Sequence, residues 1–320
     1  MIIGNMKIQG LFISLLLSLS CWMAASQDQD YGFAGDRLNL YLANDLGRNG
    51  YYDQKPIAEL MGNLAGEIDP EAVIAIGDVH HFEGIRSTGD PLWMTNFELV
   101  YSHPDLMIPW HPVLGNHEYR GNTDAVLEYA DVSRRWEMPG RYYSISFEDE
   151  GTSIRVIFLD TTPMIDKYRE ESLKYPDAHR QNISRQLRWL ERQLEEARED
   201  WVVVVGHHPI YAGTSKDEEE RTDLQARLDP VLRRHRVDMY VAGHVHNFQH
   251  IRADGSDIDY VVNSSASLSR PDIPDIPGMV FRDGHSGFSV LSADSQTLEL
   301  RMIDAEGRVL HTITRTRIIP

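Results

Sequence analysis

A single cysteine, Cys21, occurs in 320 residues. An intramolecular disulfide is therefore excluded, and so is a metal site built on clustered thiolates. Basic residues are also scarce. Lys and Arg total 31 against 49 Asp and Glu, for a formal net charge of −18. That balance argues against nucleic-acid backbones and anionic membranes as partners. Long apolar runs are missing too: the longest, Leu11 to Leu19, is broken by serines and too short to read as a membrane span. No internal repeat or low-complexity tract is present. What remains is ordinary for a globular protein with a full core: 42% hydrophobic and 25% charged residues.

The N-terminus reads as an export signal. Lys7 gives a basic start, Leu11 to Leu19 the apolar segment, and Ala24, Ala25 and Ser26 the small residues before cleavage. Residues 1–26 are thus expected to be a signal peptide and residues 27–320 a single domain, exported to the periplasm or secreted. Cys21 then lies inside the leader. The alternative is a lipoprotein: Ser18-Leu19-Ser20-Cys21 imperfectly matches the motif in which the cysteine is lipidated, which would make Cys21 a membrane anchor.

Beyond the leader, Leu38 to Ala43, Ala72 to Ile76, Trp201 to Val205 and Met239 to Ala242 read as short buried strands, with another ending at Val113-Leu114. Asp53 to Ala65, Pro91 to Tyr101, Ile183 to Ala197 and Leu224 to Arg234 read as helices; Leu187, Leu190 and Leu194 share one face. Tyr142 to Phe147 and Ile154 to Leu159 suggest a hairpin, and the chain is β-rich after Tyr260. A βαβα first part and a mostly β second part predict an α/β fold of two packed sheets with helices outside.

Each apolar strand is followed at once by residues able to bind metal. The clusters are Asn44-Asp45-Leu46-Gly47, Gly77-Asp78-Val79-His80-His81, Gly115-Asn116-His117-Glu118, Gly206-His207-His208-Pro209 and Gly243-His244-Val245-His246. Singly, each is a common turn or cap. Together they are informative, because loops at the ends of strands in an open α/β sheet converge on one crevice. His244 and His246, two apart on an extended segment, point the same way.

The set resembles the calcineurin-like metallophosphoesterases, and within them the purple acid phosphatases of the tartrate-resistant type. The similarity spans nearly the whole chain after the leader, including Tyr52-Asp53-Gln54, Pro109-Trp110, Arg135-Trp136, Tyr142-Tyr143 and Leu159-Asp160-Thr161. It implies a four-layer αββα sandwich of two mixed sheets flanked by helices, and two metal ions. By this resemblance Asp78 bridges the ions, Asp45 and His246 hold the first, and Asn116, His207 and His244 hold the second. His117 corresponds to the proton donor for the leaving group. Glu118 is expected behind the ligands, orienting a histidine or the loop, and Asn116 and His208 are expected to meet the substrate phosphate.

Two positions depart from the family. Purple acid phosphatases carry a metal-binding tyrosine three residues after the bridging aspartate; here that residue is His81. Other metallophosphoesterases use a histidine two residues after the first aspartate; here that residue is Gly47. His81 is the natural replacement donor, ahead of His80. Without a tyrosinate the site suits two divalent ions (Mn, Zn or Fe) rather than a ferric pair. The implied reaction is in-line hydrolysis of a phosphate monoester by a metal-bound hydroxide, on a small phosphorylated substrate and not on nucleic acid. A phosphodiesterase or nucleotide hydrolase of the same fold is the near alternative, and a non-catalytic secreted binding protein the distant one. The loop from Ser264 to Pro277, with Arg270, is read as solvated.

Overall fold

The computed structural model describes residues 37–149 and 151–317. The leader and Cys21 lie outside them. The described residues belong to one compact unit.

Thirteen strands are formed among the described residues: β1 (Leu38–Ala43), β2 (Ala72–Ala75), β3 (Trp110–Pro112), β4 (Tyr143–Asp149), β5 (Thr152–Leu159), β6 (Trp201–Gly206), β7 (Met239–Ala242), β8 (Phe248–Ile251), β9 (Asp259–Val262), β10 (Met279–Asp283), β11 (Gly287–Ala293), β12 (Thr297–Asp304) and β13 (Val309–Thr316). They make two mixed sheets, in the orders β13-β12-β11-β1-β2-β3 and β10-β8-β9-β7-β6-β5-β4. In the first, β1, β2 and β3 run parallel. In the second, β5, β6, β7 and β9 do. The central strands β1, β6 and β11 are buried along their whole length, as strands covered on both faces should be.

Helices cover the outer faces. The helix Gln54–Ile68 turns Ile57, Met61, Leu64 and Ile68 inward at helical spacing. Its carbonyls at Met61 and Ile68 accept from Tyr41 and Asn39 of β1. The helix Ile183–Glu196 is capped by the Asn182 side chain on the Arg185 amide. It lies along β4 and β5, where Ser144 and Arg155 bond Gln193. The expected helix over Pro91 to Tyr101 is only a short π-turn, Met94–Glu98. The Asn96 carbonyl there is drawn to the Gln54 side chain at 2.8 Å. The helix expected over Leu224 to Arg234 starts earlier and divides into Glu218–Arg227 and Asp229–Arg233.

The feature that positions the site is the meeting of the two sheets. Directly after β1 and β9, Asn44 and Ser265 form an isolated parallel bridge. The Asn263 amide donates to Leu42 O at 3.0 Å and Asn44 Oδ1 at 2.6 Å, and Asn44 donates back to Asn263 O. The carboxyl ends of the parallel strands of both sheets therefore lie together, and their loops share one crevice.

Candidate metal centre

Two aspartates open the site, one after β1 and one after β2. Asp45 spends Oδ2 on structure, accepting from the His244 amide at 2.8 Å and the Asn44 side chain at 2.7 Å. Its Oδ1 is buried, has no hydrogen-bond donor, and lies 3.0 Å from His246 Nε2 and 3.6 Å from His81 Nε2. Asp78 divides its oxygens likewise. Oδ1 accepts the His117 amide at 2.9 Å. Oδ2 faces His207 Nε2 at 3.2 Å, His81 Nε2 at 3.6 Å and His117 Nε2 at 3.8 Å. Burial alone would raise both carboxyls, but the surrounding imidazoles outweigh it and hold both well below the usual carboxylate range. Two buried carboxylates a few ångströms apart stay ionised only with positive charge beside them, from protonated imidazoles or from a bound cation.

The imidazoles are aligned by backbone carbonyls. Nδ1 of His81 lies 3.1 Å from Gly47 O, Nδ1 of His207 2.9 Å from Ile76 O, and Nδ1 of His246 2.6 Å from Leu268 O. Donation of each Nδ1 proton to its carbonyl leaves the Nε2 lone pair facing the aspartates. His244 is turned the other way. Its Nε2 meets Glu220 Oε2 at 2.8 Å, and its Nδ1 is buried with no partner. Asp45 Oδ1, His81 Nε2, Asn116 Oδ1, His207 Nε2 and His244 Nδ1 are all buried without a hydrogen-bond partner. Buried polar atoms are nearly always paired, so this set of unpaired acceptors is what a cation site requires. Asp45, His81 and His246 form one group of ligand atoms within 4.8 Å of one another, and Asp45, Asp78 and His207 a second. Oxygen and imidazole donors without thiolate fit first-row metal ions.

The backbone is bent to achieve this. Asp45, Asp78, His244 and His246 all have positive φ, between 51° and 70°, a region that residues other than glycine seldom occupy. The missing histidine at position 47 has a steric explanation. A Cβ on Gly47 would lie 2.0 Å from the Val79 carbonyl oxygen, so no side chain fits there. The Gly47 carbonyl serves instead as the acceptor that orients His81. Gly115 is similarly constrained, since its Cβ would fall 2.2 Å from Asp78 Oδ1.

Glu118 is enclosed and bonds three amides: Asp78 N at 3.0 Å and Gly115 N at 2.7 Å through Oε2, and His80 N at 3.0 Å through Oε1. It fixes two ligand loops and no histidine ring. Burial and the neighbouring Asp78 push its carboxyl up. His80 faces away from the aspartates, against Trp93 and Asn96. His117 donates Nδ1 to Phe82 O at 2.9 Å and keeps Nε2 toward Asp78. Its side chain is 18% exposed, so it stands at the mouth of the site.

His208 corrects an expectation. It is fully buried, with Nδ1 2.9 Å from Thr161 Oγ1 and Nε2 3.3 Å from Tyr168 Oη. With both nitrogens engaged by protein hydroxyls it packs against His207 and His244, away from the solvent through which a substrate arrives. The loop after β9 corrects another. Ser264, Ser265 and Ser267 are buried, and the hydroxyls of Ser265 and Ser267 hold the Asp45 carbonyl. Only its later part, with Arg270, is exposed, and the Arg270 amide bonds His246 O at 2.7 Å.

Glu220 and Lys216 escaped the sequence reading. Glu220 is buried and links His244 to Tyr168 at 2.7 Å and Lys167 at 3.1 Å. Burial would raise it, but His244 holds it far below the ordinary range. Lys216 Nζ lies 3.1 Å from His244 Nε2, and burial lowers its pKa to about 8.

The comparisons with known proteins agree with this geometry. The sequence model for calcineurin-like phosphoesterases matches residues 38–248. Purple acid phosphatase 3 of Arabidopsis thaliana is 31% identical over 291 residues, covering 87% of this chain and 78% of its own. Tartrate-resistant acid phosphatase type 5 of Sus scrofa is 28% identical over 269 residues, covering 79% and 78%. In fold, the chain is similar to GAP50, the anchor in the inner membrane complex of Plasmodium, with TM-score 0.75, 23% identity, and 88% and 89% of the two chains covered. It is also similar to the purple acid phosphatase PPD1 of yellow lupin, with TM-score 0.64, 17% identity, and 89% and 54% covered. Fold, site geometry and relatives together make this chain a member of the calcineurin-like phosphoesterase family, with aspartates and histidines grouped as a dinuclear metal centre requires.

Proposed function

We propose that the protein hydrolyses phosphate monoesters at a two-metal centre. Asp45, Asp78, His81 and His246 would hold one ion, and Asp78, Asn116, His207 and His244 the other. The observation that carries this reading is the set of buried, unpartnered atoms Asp45 Oδ1, His81 Nε2 and His207 Nε2, on residues that gather with Asp78 and His246 in groups of ligand atoms within 4.8 Å of one another. Divalent ions, Mn²⁺, Zn²⁺ or Fe²⁺, suit the donor set, because the tyrosinate that favours Fe³⁺ is replaced by the neutral His81. When bound, such a pair supplies Lewis acidity toward the phosphoryl oxygens and lowers the pKa of water.

The protein's own groups do the rest. Asn116 would bind a phosphoryl oxygen as well as a metal. His117 donates the proton that the leaving oxygen takes up. Its Nδ1 proton is committed to Phe82 O, so the transferred proton must be carried on Nε2. Burial disfavours that charge; a bound phosphate dianion favours it. Glu220 fixes the ring of His244, and Glu118 fixes the loops that carry Asp78 and Asn116.

The test is turnover of a chromogenic phosphomonoester against the matching diester, on enzyme stripped with chelator and on enzyme reloaded with Mn²⁺, Zn²⁺ or Fe²⁺. Activity should vanish with chelator, return with metal and favour the monoester. Full turnover without metal overturns the reading; preference for the diester moves it to a phosphodiesterase. Export belongs to the same proposal, on the strength of residues 1–26. Mass spectrometry of protein from its natural host should find an N-terminus near Gln27, or lipid on Cys21, and an intact Met1 would refute both.

A further inference from the structure

Phe82 is a bulky residue in a left-handed conformation, with φ 70°, which costs energy unless something in the fold enforces it. Its carbonyl accounts for the strain: it accepts from His117 Nδ1 at 2.9 Å and from Arg120 Nη1 at 3.1 Å. Turning that carbonyl inward sends the side chain outward. The ring is 57% exposed, so burial in the protein does little to explain a phenyl group there. The Arg48 guanidinium stands 5.3 Å from the ring centroid, and its Nε is buried without a hydrogen-bond partner. Tyr51 and Tyr52, on the loop that follows Arg48, are exposed by 71% and 61%.

We propose that the Phe82 ring, tied beside His117 and backed by Arg48, selects substrates whose leaving group carries a planar aromatic ring. The inference rests on the phosphomonoesterase reading above. The leaving oxygen takes its proton from His117, so the group attached to that oxygen must leave past the outer side of His117. Phe82 is bonded to His117 through its own carbonyl, and the proposal sets its exposed ring along that exit. An aromatic ring prefers an offset or edge contact with another aromatic ring, and a guanidinium adds attraction to either π face. A saturated ring of similar size obtains only the apolar contact.

The experiment compares benzyl phosphate with cyclohexylmethyl phosphate on the metal-loaded enzyme. Both are esters of primary alcohols with leaving groups of similar size, so chemistry and bulk nearly cancel in the ratio of their kcat/KM values. A second pair, adenosine 5′-monophosphate and ribose 5-phosphate, asks whether a nucleobase is the ring recognised. The aromatic member should be favoured roughly two- to tenfold in at least one pair, and the pair that shows it identifies the source of the ring. Phe82→Leu should bring that ratio to about one, and Phe82→Tyr should retain it, whatever happens to absolute rates. Far-ultraviolet circular dichroism and metal content establish that the variants are folded and loaded. Ratios near one in both pairs for the unmodified enzyme, or a ratio unchanged in Phe82→Leu, overturn the proposal. Failure of the unmodified enzyme to turn over any of the four esters removes the phosphomonoesterase reading on which it rests.

Discussion

His81 and Gly47 form a unit. The loop after β1 approaches Val79 so closely that position 47 has no room for a side chain, and the carbonyl exposed by that approach orients His81. His81→Ala should therefore weaken one metal more than the other, seen as one equivalent lost at low free metal in a titration; loss of both, or of neither, contradicts the assignment. The unmodified protein should show no visible charge-transfer band with any metal, since no tyrosine stands at the required position; a purple protein would refute it. For His117, removal of a general acid costs roughly 10²–10⁴ in rate. His117→Ala should show that loss on alkyl esters, with both metals retained, and a smaller loss on esters with good leaving groups. An equal loss across leaving groups would assign His117 a different role.

Among the secondary-structure elements, those legible in the sequence are local in origin. A continuous apolar run ending in Gly-Asp or Gly-His declares both a buried strand and the ligand loop after it, as in Trp201–Gly206 followed by His207. What could not be read depends on distant contacts. Glu220 sits in the acidic run Asp217-Glu218-Glu219-Glu220, which looks like a solvated helix start; only the packing of its helix turns the fourth carboxylate onto His244. His208 has the composition of a ligand, and only the approach of Thr161 and Tyr168 shows its nitrogens to be occupied. Strand β8 was hidden behind the His-x-His motif. It shares one ionic contact with its neighbours: Asp259 of β9 accepts from His250 at 2.8 Å, Arg252 at 2.9 Å and, from β13 of the other sheet, Arg315 at 2.8 Å. Burial would raise Asp259, but these partners hold it far below the ordinary range. A depressed carboxyl contributes stability above its unfolded pKa, about 3.9, and loses it as pH falls toward the native value. The melting-temperature gap between the unmodified protein and Asp259→Asn should thus be steady from neutral pH down to about 5 and shrink below about 4. A gap that closes between pH 7 and 5 would implicate another group.

For the whole molecule, the net charge of −18 contrasts with a site proposed to attract a phosphate, so bound metal ions would supply the local positive charge. Their removal should cost stability as well as activity, because a ligand bound only by the native state stabilises it by about 2.7 kcal/mol at a hundredfold excess over Kd. The melting temperature should fall with chelator and recover on reloading; no shift would mean that the ions are not held by the folded chain. Asp78→Ala should abolish that shift. On the proposed ligand assignment the two sheets would also share custody of each ion. Asp45, Asp78, His81 and Asn116 follow strands of the first sheet, whereas His207, His244 and His246 follow strands of the second. The ions would thus act as rivets through the seam already pinned at Asn44 and Ser265. A riveted seam cannot gape while the rivets stay in, so transient parting of the layers and escape of metal become one mechanical event. Amide exchange at the carboxyl ends of β1, β2, β6 and β7 then serves as a clock for metal loss.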